Sequence, residues 1–177
     1  FRISCSQGRR EILMDAPPPH EDPRPFIDIA EYLSGKGFRA PEIFARDLER
    51  GFVLLEDFGD ERMREHLDYK PEDEDAVYKQ AIDTLIHLAK AEPADIAPYD
   101  EAAYLREVQL LSEWYMPAMG LEFDQAEYDR LWTQALAPIS DVQTVTVLRD
   151  YHAENIMLLP DGDQGVIDFQ DALVGHP

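Results

Sequence analysis

The chain has 177 residues, enough for one substantial core or for two small lobes beside a cleft. Hydrophobic residues make up 45% and charged residues 30%, which is typical of a folded globular chain and excludes a disordered or fibrous one. The 37 acidic residues against 16 Lys and Arg give a net charge of -21, which excludes nucleic acid and anionic membranes as favoured partners. The acidic surface either attracts cationic substrates or serves solubility alone.

Several features of the sequence concern where the protein is located. No apolar run approaches the roughly 20 residues of a membrane helix, and the opening FRISCSQGRR lacks the apolar core of a signal peptide. Cys5 is the single cysteine, so an internal disulfide is excluded and a cytoplasmic location is favoured. The chain begins as a strand without a methionine and stops just after a motif expected in mid-domain. We therefore expect further sequence at both ends.

The N-terminal part of the chain predicts a small β-rich lobe with one helix. Strand-like segments at residues 1–5 and 11–14 flank a turn at residues 6–8. After a proline-rich stretch, apolar residues recur at helical spacing over residues 26–33, with glycines after them. A second hairpin is predicted over residues 43–55.

From Asp60 onward the pattern becomes helical. A helix is predicted over residues 72–90, another follows around Val108, and Asp124 with Glu127 resembles a capping box that opens a third. A β-rich segment and a hairpin close the chain. The predicted domains are a partial β-rich lobe with one helix at residues 1–56 and an incomplete helical lobe that includes this hairpin at residues 57–177.

The segments that indicate chemistry are LRDYHAEN at residues 148–155 and VIDFQD at residues 166–171. Phosphoryl transfer requires a group facing the proton of the attacking hydroxyl, and ligands for the metal that neutralises the phosphates. Asp150 follows a β segment, and a short hairpin is expected to bring Asp168 beside Asn155. An amide oxygen and a carboxylate suit Mg²⁺. The alternative is that these are turn and strand-end residues, but the joint pattern is stronger than a lone D-x-x-x-x-N.

Together the two segments resemble the aminoglycoside phosphotransferase family, relatives of protein kinases that phosphorylate small molecules. The resemblance rests on LRDYHAENIM and GVIDFQDALVGHP and covers essentially the whole chain. Within the family, ILMDAPPPHEDPRPF, GFVLLEDFGD and the combination of DYH with DFQDA are most similar to bacterial cell-wall sugar kinases that act on N-acetylmuramate and N-acetylglucosamine.

This resemblance implies an α+β, protein-kinase-like bilobal fold with a small β-rich lobe, a mainly helical lobe, and ATP and Mg²⁺ as cofactors. Asp150 is implied as the catalytic base, and Asn155 and Asp168 as metal ligands. A hinge whose backbone meets adenine, and a set of possible supporting residues, are also implied. The hinge comprises Leu54, Leu55, Glu56 and Asp57, and the supporting residues are Arg149, His152 and Asp171.

Three departures from the family pattern are visible. Leu148 stands where many relatives have His, at a position that is mostly structural. Met14 stands about where a phosphate-binding lysine is expected, so another cation is needed. A glycine-rich loop over the phosphates is expected before Phe1. The candidate cations, each also explained as a solvated surface residue, are Arg2, Arg9, Arg10 and Arg24.

Three functions follow from these observations. The first is an ATP-dependent kinase that phosphorylates a hydroxyl of an amino sugar in cell-wall recycling. The second is a kinase for an aminoglycoside or another amino alcohol. The third, from another class, is a pseudokinase-like module that binds nucleotide without turnover. The missing lysine favours the third, whereas the presence of Asp150, Asn155 and Asp168 argues against it.

Overall fold

A computed structural model of the chain, describing residues 1–4, 8 and 10–177, contains strands and helices in the order expected of an α+β protein. The strands are β1 Arg2–Ser4, β2 Arg10–Asp15, β3 Ile43–Asp47, β4 Phe52–Glu56, β5 Val145–Val147, β6 Ile156–Leu158, β7 Gln164–Val166 and β8 Leu173–Gly175. The helices are α1 Arg24–Gly35, α2 Met63–Tyr69, α3 Glu74–Leu88, α4 Glu101–Leu110, α5 Met116–Ala118 and α6 Gln125–Leu136.

These elements form two units. One comprises Phe1–Leu88 with Leu148–Ala172, and the other comprises Ala89–Val147 with Leu173–Pro177. The domain division proposed from the sequence, between residues 56 and 57, stays a prediction. Of the predicted turn at residues 6–8, only Gly8 is among the described residues. Cys5 and Arg9 lie outside them.

The first unit is built on a four-stranded antiparallel sheet in the order β1-β2-β4-β3. Both predicted hairpins are therefore confirmed as strand pairs. In the register of β2 and β4, Met14 faces Val53 and Ile12 faces Leu55. Gly51, at the turn before β4, has a positive φ of 78°, and a Cβ there would lie 2.0 Å from the Ala16 carbonyl oxygen. Only glycine fits this close approach of two backbones.

Helix α1 presents the predicted apolar stripe to the interior. Phe26, Ile29 and Leu33 recur at spacings of three and four residues and are buried. The Phe26 ring stacks on Phe169 with centroids 4.9 Å apart. This stacking ties α1 to the segment directly after Asp168.

The hairpin of β6 and β7 packs on α2 and α3 in the same unit. Met63, Ala81 and Ile156 form a buried cluster, and burying a side chain the size of Met63 contributes about 1.5–3 kcal/mol. Helix α3 confirms the predicted helix, although Leu85 and Ile86 on its apolar face are exposed.

The second unit contains α4 to α6 and a two-stranded antiparallel sheet of β5 and β8. The Asp124 carboxylate accepts a hydrogen bond from the Glu127 N–H at 3.1 Å, so the predicted cap of α6 is present. Helix α4 continues into a π-helical segment, Leu111–Tyr115, in which Trp114 is 72% exposed. Across the part of the chain that the structure describes, no helix is both long enough and apolar enough to cross a bilayer.

Candidate active site

A cavity of about 590 Å³ lies within the first unit, which is the size of a pocket for a nucleotide-sized ligand. Strands β2, β4 and β6 supply an apolar lining that includes Ile12, Leu55 and Met157. The remaining lining is mostly polar. It comprises Arg2, Glu56, Asp57, Gly59, Asp60, Arg62, Glu65, Asn155, Asp168 and Gln170, with Met14, Phe26, Pro41, Phe58 and Ile167 completing the wall.

The structure brings the two predicted metal ligands together. The pairing of β6 with β7 places Asn155 directly before one strand and Asp168 just after the other, and the Ile167 N–H donates to the Asn155 carbonyl at 3.0 Å. The Asn155 Nδ2 lies 3.3 Å from the Asp168 Oδ2. Asp168 has a positive φ of 60°, a conformation that aspartate tolerates better than most residues.

The orientation of the Asn155 amide follows from its neighbours. Its Nδ2 donates to the Asp150 backbone carbonyl at 3.0 Å as well as to the Asp168 carboxylate, and both of these groups only accept. The side-chain carbonyl oxygen of Asn155 is therefore turned away from them. An amide oxygen next to a carboxylate is a donor set that fits Mg²⁺.

Gln170 adds a second amide to the Asp168 carboxylate. Its Nε2 donates to the Asp168 Oδ1 at 2.9 Å, so both oxygens of Asp168 have an amide donor. In protein kinases a glycine occupies this place in the D-F-G motif, which has no side chain to make such a bond. Gln170 was not predicted as a site residue, although its place two residues after Asp168 was the available signal.

The loop that carries Asp150 is anchored at both ends. Arg149 has a positive φ of 64°, and the Asp150 N–H donates to the Leu148 carbonyl at 2.8 Å. Tyr151 donates to the Ala81 carbonyl of α3 at 3.1 Å, and burial raises the pKa of its phenol. Leu148 is buried, as expected of a structural position. The Asp150 side chain itself is exposed.

The three supporting candidates lie around this loop and do not line the cavity. Arg149 donates from Nη1 to the backbone carbonyl of Asp171 at 3.3 Å. The His152 Nδ1 accepts from the Glu154 N–H at 3.3 Å, and its Nε2 lies 3.5 Å from the Asn155 Nδ2. Asp171 thus contacts the loop through its backbone carbonyl.

The predicted hinge forms the end of β4. Leu55, Glu56 and Asp57 line the cavity, whereas Leu54 does not. The Glu56 carboxylate is held by the Arg39 guanidinium, which keeps the pKa of Glu56 below its usual range. Partial burial pushes the pKa of Asp57 upward, but hydrogen bonds from Arg2 and the Gly59 N–H outweigh it and lower that pKa.

Most of the arginines considered as phosphate-binding cations already form ion pairs with carboxylates. Arg2 lines the cavity but binds both carboxylates of Asp57 and Asp60, at 2.7 and 2.6 Å. Arg24 pairs with Asp22 at the surface, and Arg9 lies outside the described residues. The described residues also contain no cluster of three or more His, Cys, Asp or Glu side chains that could hold a metal alone. Met14 lines the cavity where the lysine is expected.

Comparison with known protein families agrees with this geometry. The model of the phosphotransferase enzyme family, APH, matches residues 1–177. The chain belongs to this family. It is 40% identical over 172 residues to the N-acetylmuramate/N-acetylglucosamine kinase of Pseudomonas aeruginosa, covering 94% of this chain and 50% of that protein. It is 36% identical over 174 residues to the protein of the same name from Pseudomonas putida, covering 95% and 50%.

Solved structures of the family show the same fold. The streptomycin–ATP complex of APH(2")-IIa matches with a TM-score of 0.65 at 18% identity, over 99% of this chain and 64% of that one. The ADP-bound aminoglycoside phosphotransferase APH(2'')-Ib matches with a TM-score of 0.57 at 17% identity, over 87% and 56%. The predicted kinase-like fold is thereby confirmed. The family member described here spans about half the length of the curated relatives it matches.

Proposed function

We propose that this protein is an ATP-dependent kinase that transfers the γ-phosphate to a hydroxyl of an amino sugar of the N-acetylmuramate or N-acetylglucosamine type. The observation that carries the proposal is the pairing of Asn155 with Asp168 in a cavity with an apolar wall. The names of the two Pseudomonas relatives support the acceptor class. A reaction that consumes ATP is consistent with the cytoplasmic location expected from the sequence.

In this proposal different residues bind the metal, the adenine and the acceptor hydroxyl. Asn155 and Asp168 would hold Mg²⁺ through the amide carbonyl and the carboxylate, and the metal would neutralise phosphate charge. The backbone at Leu55, Glu56 and Asp57 meets adenine. The Asp150 carboxylate accepts a hydrogen bond from the acceptor hydroxyl and orients its oxygen toward the γ-phosphorus. It takes up the hydroxyl proton as the new oxygen–phosphorus bond forms, while the bond between the γ-phosphorus and the β,γ-bridging oxygen breaks and ADP leaves.

A second acceptor class has its own support. The streptomycin–ATP complex among the structural neighbours and the net charge of -21 both suit a cationic aminoglycoside or amino alcohol. The relatives at 40% and 36% identity favour the amino sugar, because the structural neighbours are only 17–18% identical.

Release of ADP from magnesium-ATP distinguishes the alternatives. We expect release with N-acetylmuramate or N-acetylglucosamine and none above background with streptomycin or choline. Release of ADP only with the cationic compounds would identify an aminoglycoside or amino-alcohol kinase instead. Tight binding of ATP without ADP release from any compound would identify a pseudokinase-like module instead.

A further inference from the structure

Arg39 connects two parts of the first unit that both line the cavity. Its backbone carbonyl accepts a hydrogen bond from the Val166 N–H at 2.8 Å, and it forms an isolated parallel bridge with Gly165 of β7. Its side chain reaches the end of β4, where Glu56 lies. One residue between α1 and β3 therefore touches both the hairpin of β6 and β7 and the predicted hinge.

The contact with Glu56 is a bidentate ion pair. The Arg39 Nη2 lies 2.8 Å from the Glu56 Oε1, and Nη1 lies 3.1 Å from Oε2. Such a fork fixes the relative orientation of the two planar groups, which a single bond does not. Both side chains are about two-thirds buried or more, so solvent screens the pair less than it screens a surface pair.

Glu56 is further fixed by Glu42, the residue that directly precedes β3. Its Oε2 accepts from the Glu42 N–H at 3.2 Å, and its own N–H donates to the Glu42 carbonyl at 2.9 Å. The Glu56 carboxylate thus points toward Arg39 and Glu42, and Glu56 is also one of the residues that line the cavity. Arg39 itself does not line the cavity, so its contact with Glu56 bears on the position of the hinge and not on a ligand.

Phe58 provides a second link between Arg39 and the hairpin. The Arg39 guanidinium carbon lies 5.1 Å from the centroid of the Phe58 ring, within the range of a cation–π contact. The same ring packs so closely on Gly165 that a Cβ there would lie 2.5 Å from the Phe58 Cε2. Phe58 also belongs to a buried cluster with Met157 and Leu159.

We propose that Arg39 is a positioning residue that fixes the separation between the adenine-binding hinge and the hairpin carrying Asn155 and Asp168. This inference rests on the proposed function. ATP is the ligand that would touch both parts at once, with adenine at one and the metal-bound phosphates at the other. Correct separation lets the two contacts reinforce each other, as in any linked binding pair, whereas a ligand that touches one part gains nothing from it.

The test compares a ligand that spans both parts with one that does not. Magnesium-ATP is titrated by calorimetry, and adenosine by ligand-detected NMR, which reaches weak affinities. Arg39→Met should weaken magnesium-ATP binding about tenfold while changing adenosine binding less than twofold. Glu56→Gln keeps the side-chain shape and should give the same pattern, so the test survives poor folding of the Arg39 variant. The double variant should lose no more affinity for magnesium-ATP than either single variant, because each of the three variants breaks the same ion pair.

A matched control is the ion pair of Arg46 with Glu31, 2.9 Å apart and exposed, which links β3 to α1 without touching the cavity. Arg46→Met should leave the affinity of both ligands unchanged. Equal losses for adenosine and magnesium-ATP in the Arg39 and Glu56 variants would overturn the inference, as would a lower melting temperature with no change in magnesium-ATP affinity. If the wild-type protein bound magnesium-ATP no better than adenosine, the proposed function itself would fail.

Discussion

Asn155 and Asp168 lie thirteen residues apart in the chain, yet their side chains are 3.3 Å apart. This closeness could be predicted, because two short β-rich segments joined by Pro160-Asp161-Gly162-Asp163 leave a hairpin as the economical arrangement. The orientation of the Asn155 amide could not be predicted. It depends on the Asp150 backbone carbonyl, and a sequence pattern gives side-chain types and spacing but not backbone direction.

The ion pair of Arg39 with Glu56 could not be predicted from the sequence. Arg39 meets Glu56 seventeen residues later, across elements whose packing no periodic pattern encodes. Arginine and glutamate at exposed-looking positions usually remain solvated, so Arg39 attracted no role from the sequence, and Glu56 only that of a hinge residue implied by the family resemblance. Their pairing became visible only when the ends of β4 and α1 were placed in space.

His66 gives a prediction about pH at the scale of a single residue. Its Nδ1 lies 2.8 Å from Glu61 and its Nε2 2.9 Å from Asp73, and these carboxylates raise the pKa of the imidazole above its usual value. A raised folded-state pKa stabilises the fold fully below the unfolded pKa of about 6.5, and this contribution is lost as pH rises through the folded value. The free energy of unfolding should therefore fall across that interval.

Chemical denaturation at a series of pH values measures this effect. His66→Gln keeps a hydrogen-bonding side chain without the charge. The free energy of unfolding of the wild-type protein should therefore exceed that of the variant, and the difference should be larger at about pH 6 than at about pH 9. A difference between the two proteins that stays constant over this range would show that the two carboxylates do not hold a charged imidazole.

The predicted elements succeeded where pattern and turn chemistry agreed. The two N-terminal hairpins, α1 and the cap of α6 were all visible as alternation, helical spacing or a capping residue. Strand β8, Leu173–Gly175, was not predicted, because three residues carry no period and its partner β5 is distant in sequence. The exposed Leu85 and Ile86 show that helical spacing identifies an apolar face without saying what covers it.

Strand β7 depends on a glycine whose role is packing. A Cβ at Gly165 would meet the Phe58 ring, and that ring is confined by Met157, Leu159 and the Arg39 guanidinium. Gly165→Ala should therefore lower the free energy of unfolding by about 1–3 kcal/mol, the usual cost of overpacking a core. Thermal and urea denaturation of the purified variant measure this loss.

Gly35, at the end of α1, is the matched control, because a Cβ there would meet nothing within 4 Å and its φ is not positive. Gly35→Ala should be neutral or slightly stabilising. Two variants with equal stability would mean that the Phe58 ring can move aside, and that Gly165 does not limit the packing between hinge and hairpin.

At the scale of the whole molecule, the net charge of -21 makes the handling of phosphate an electrostatic problem. Met14 lines the cavity where relatives of protein kinases place a lysine, and Arg2 is already bound to Asp57 and Asp60. In our proposal Asn155 and Asp168 hold the metal, which would therefore carry more of the phosphate charge than it would beside a lysine.

Calorimetric titration of magnesium-ATP into the wild-type protein, Asp150→Asn and Asp168→Ala tests this division of roles most directly. We predict that Asp168→Ala weakens binding at least tenfold, because it removes a metal ligand, in line with the 10–100-fold typical of damaged metal sites. Asp150→Asn should bind within about twofold of wild type while losing about 10²–10⁴-fold in turnover. Equal loss of affinity in both variants, or none in either, would contradict the account.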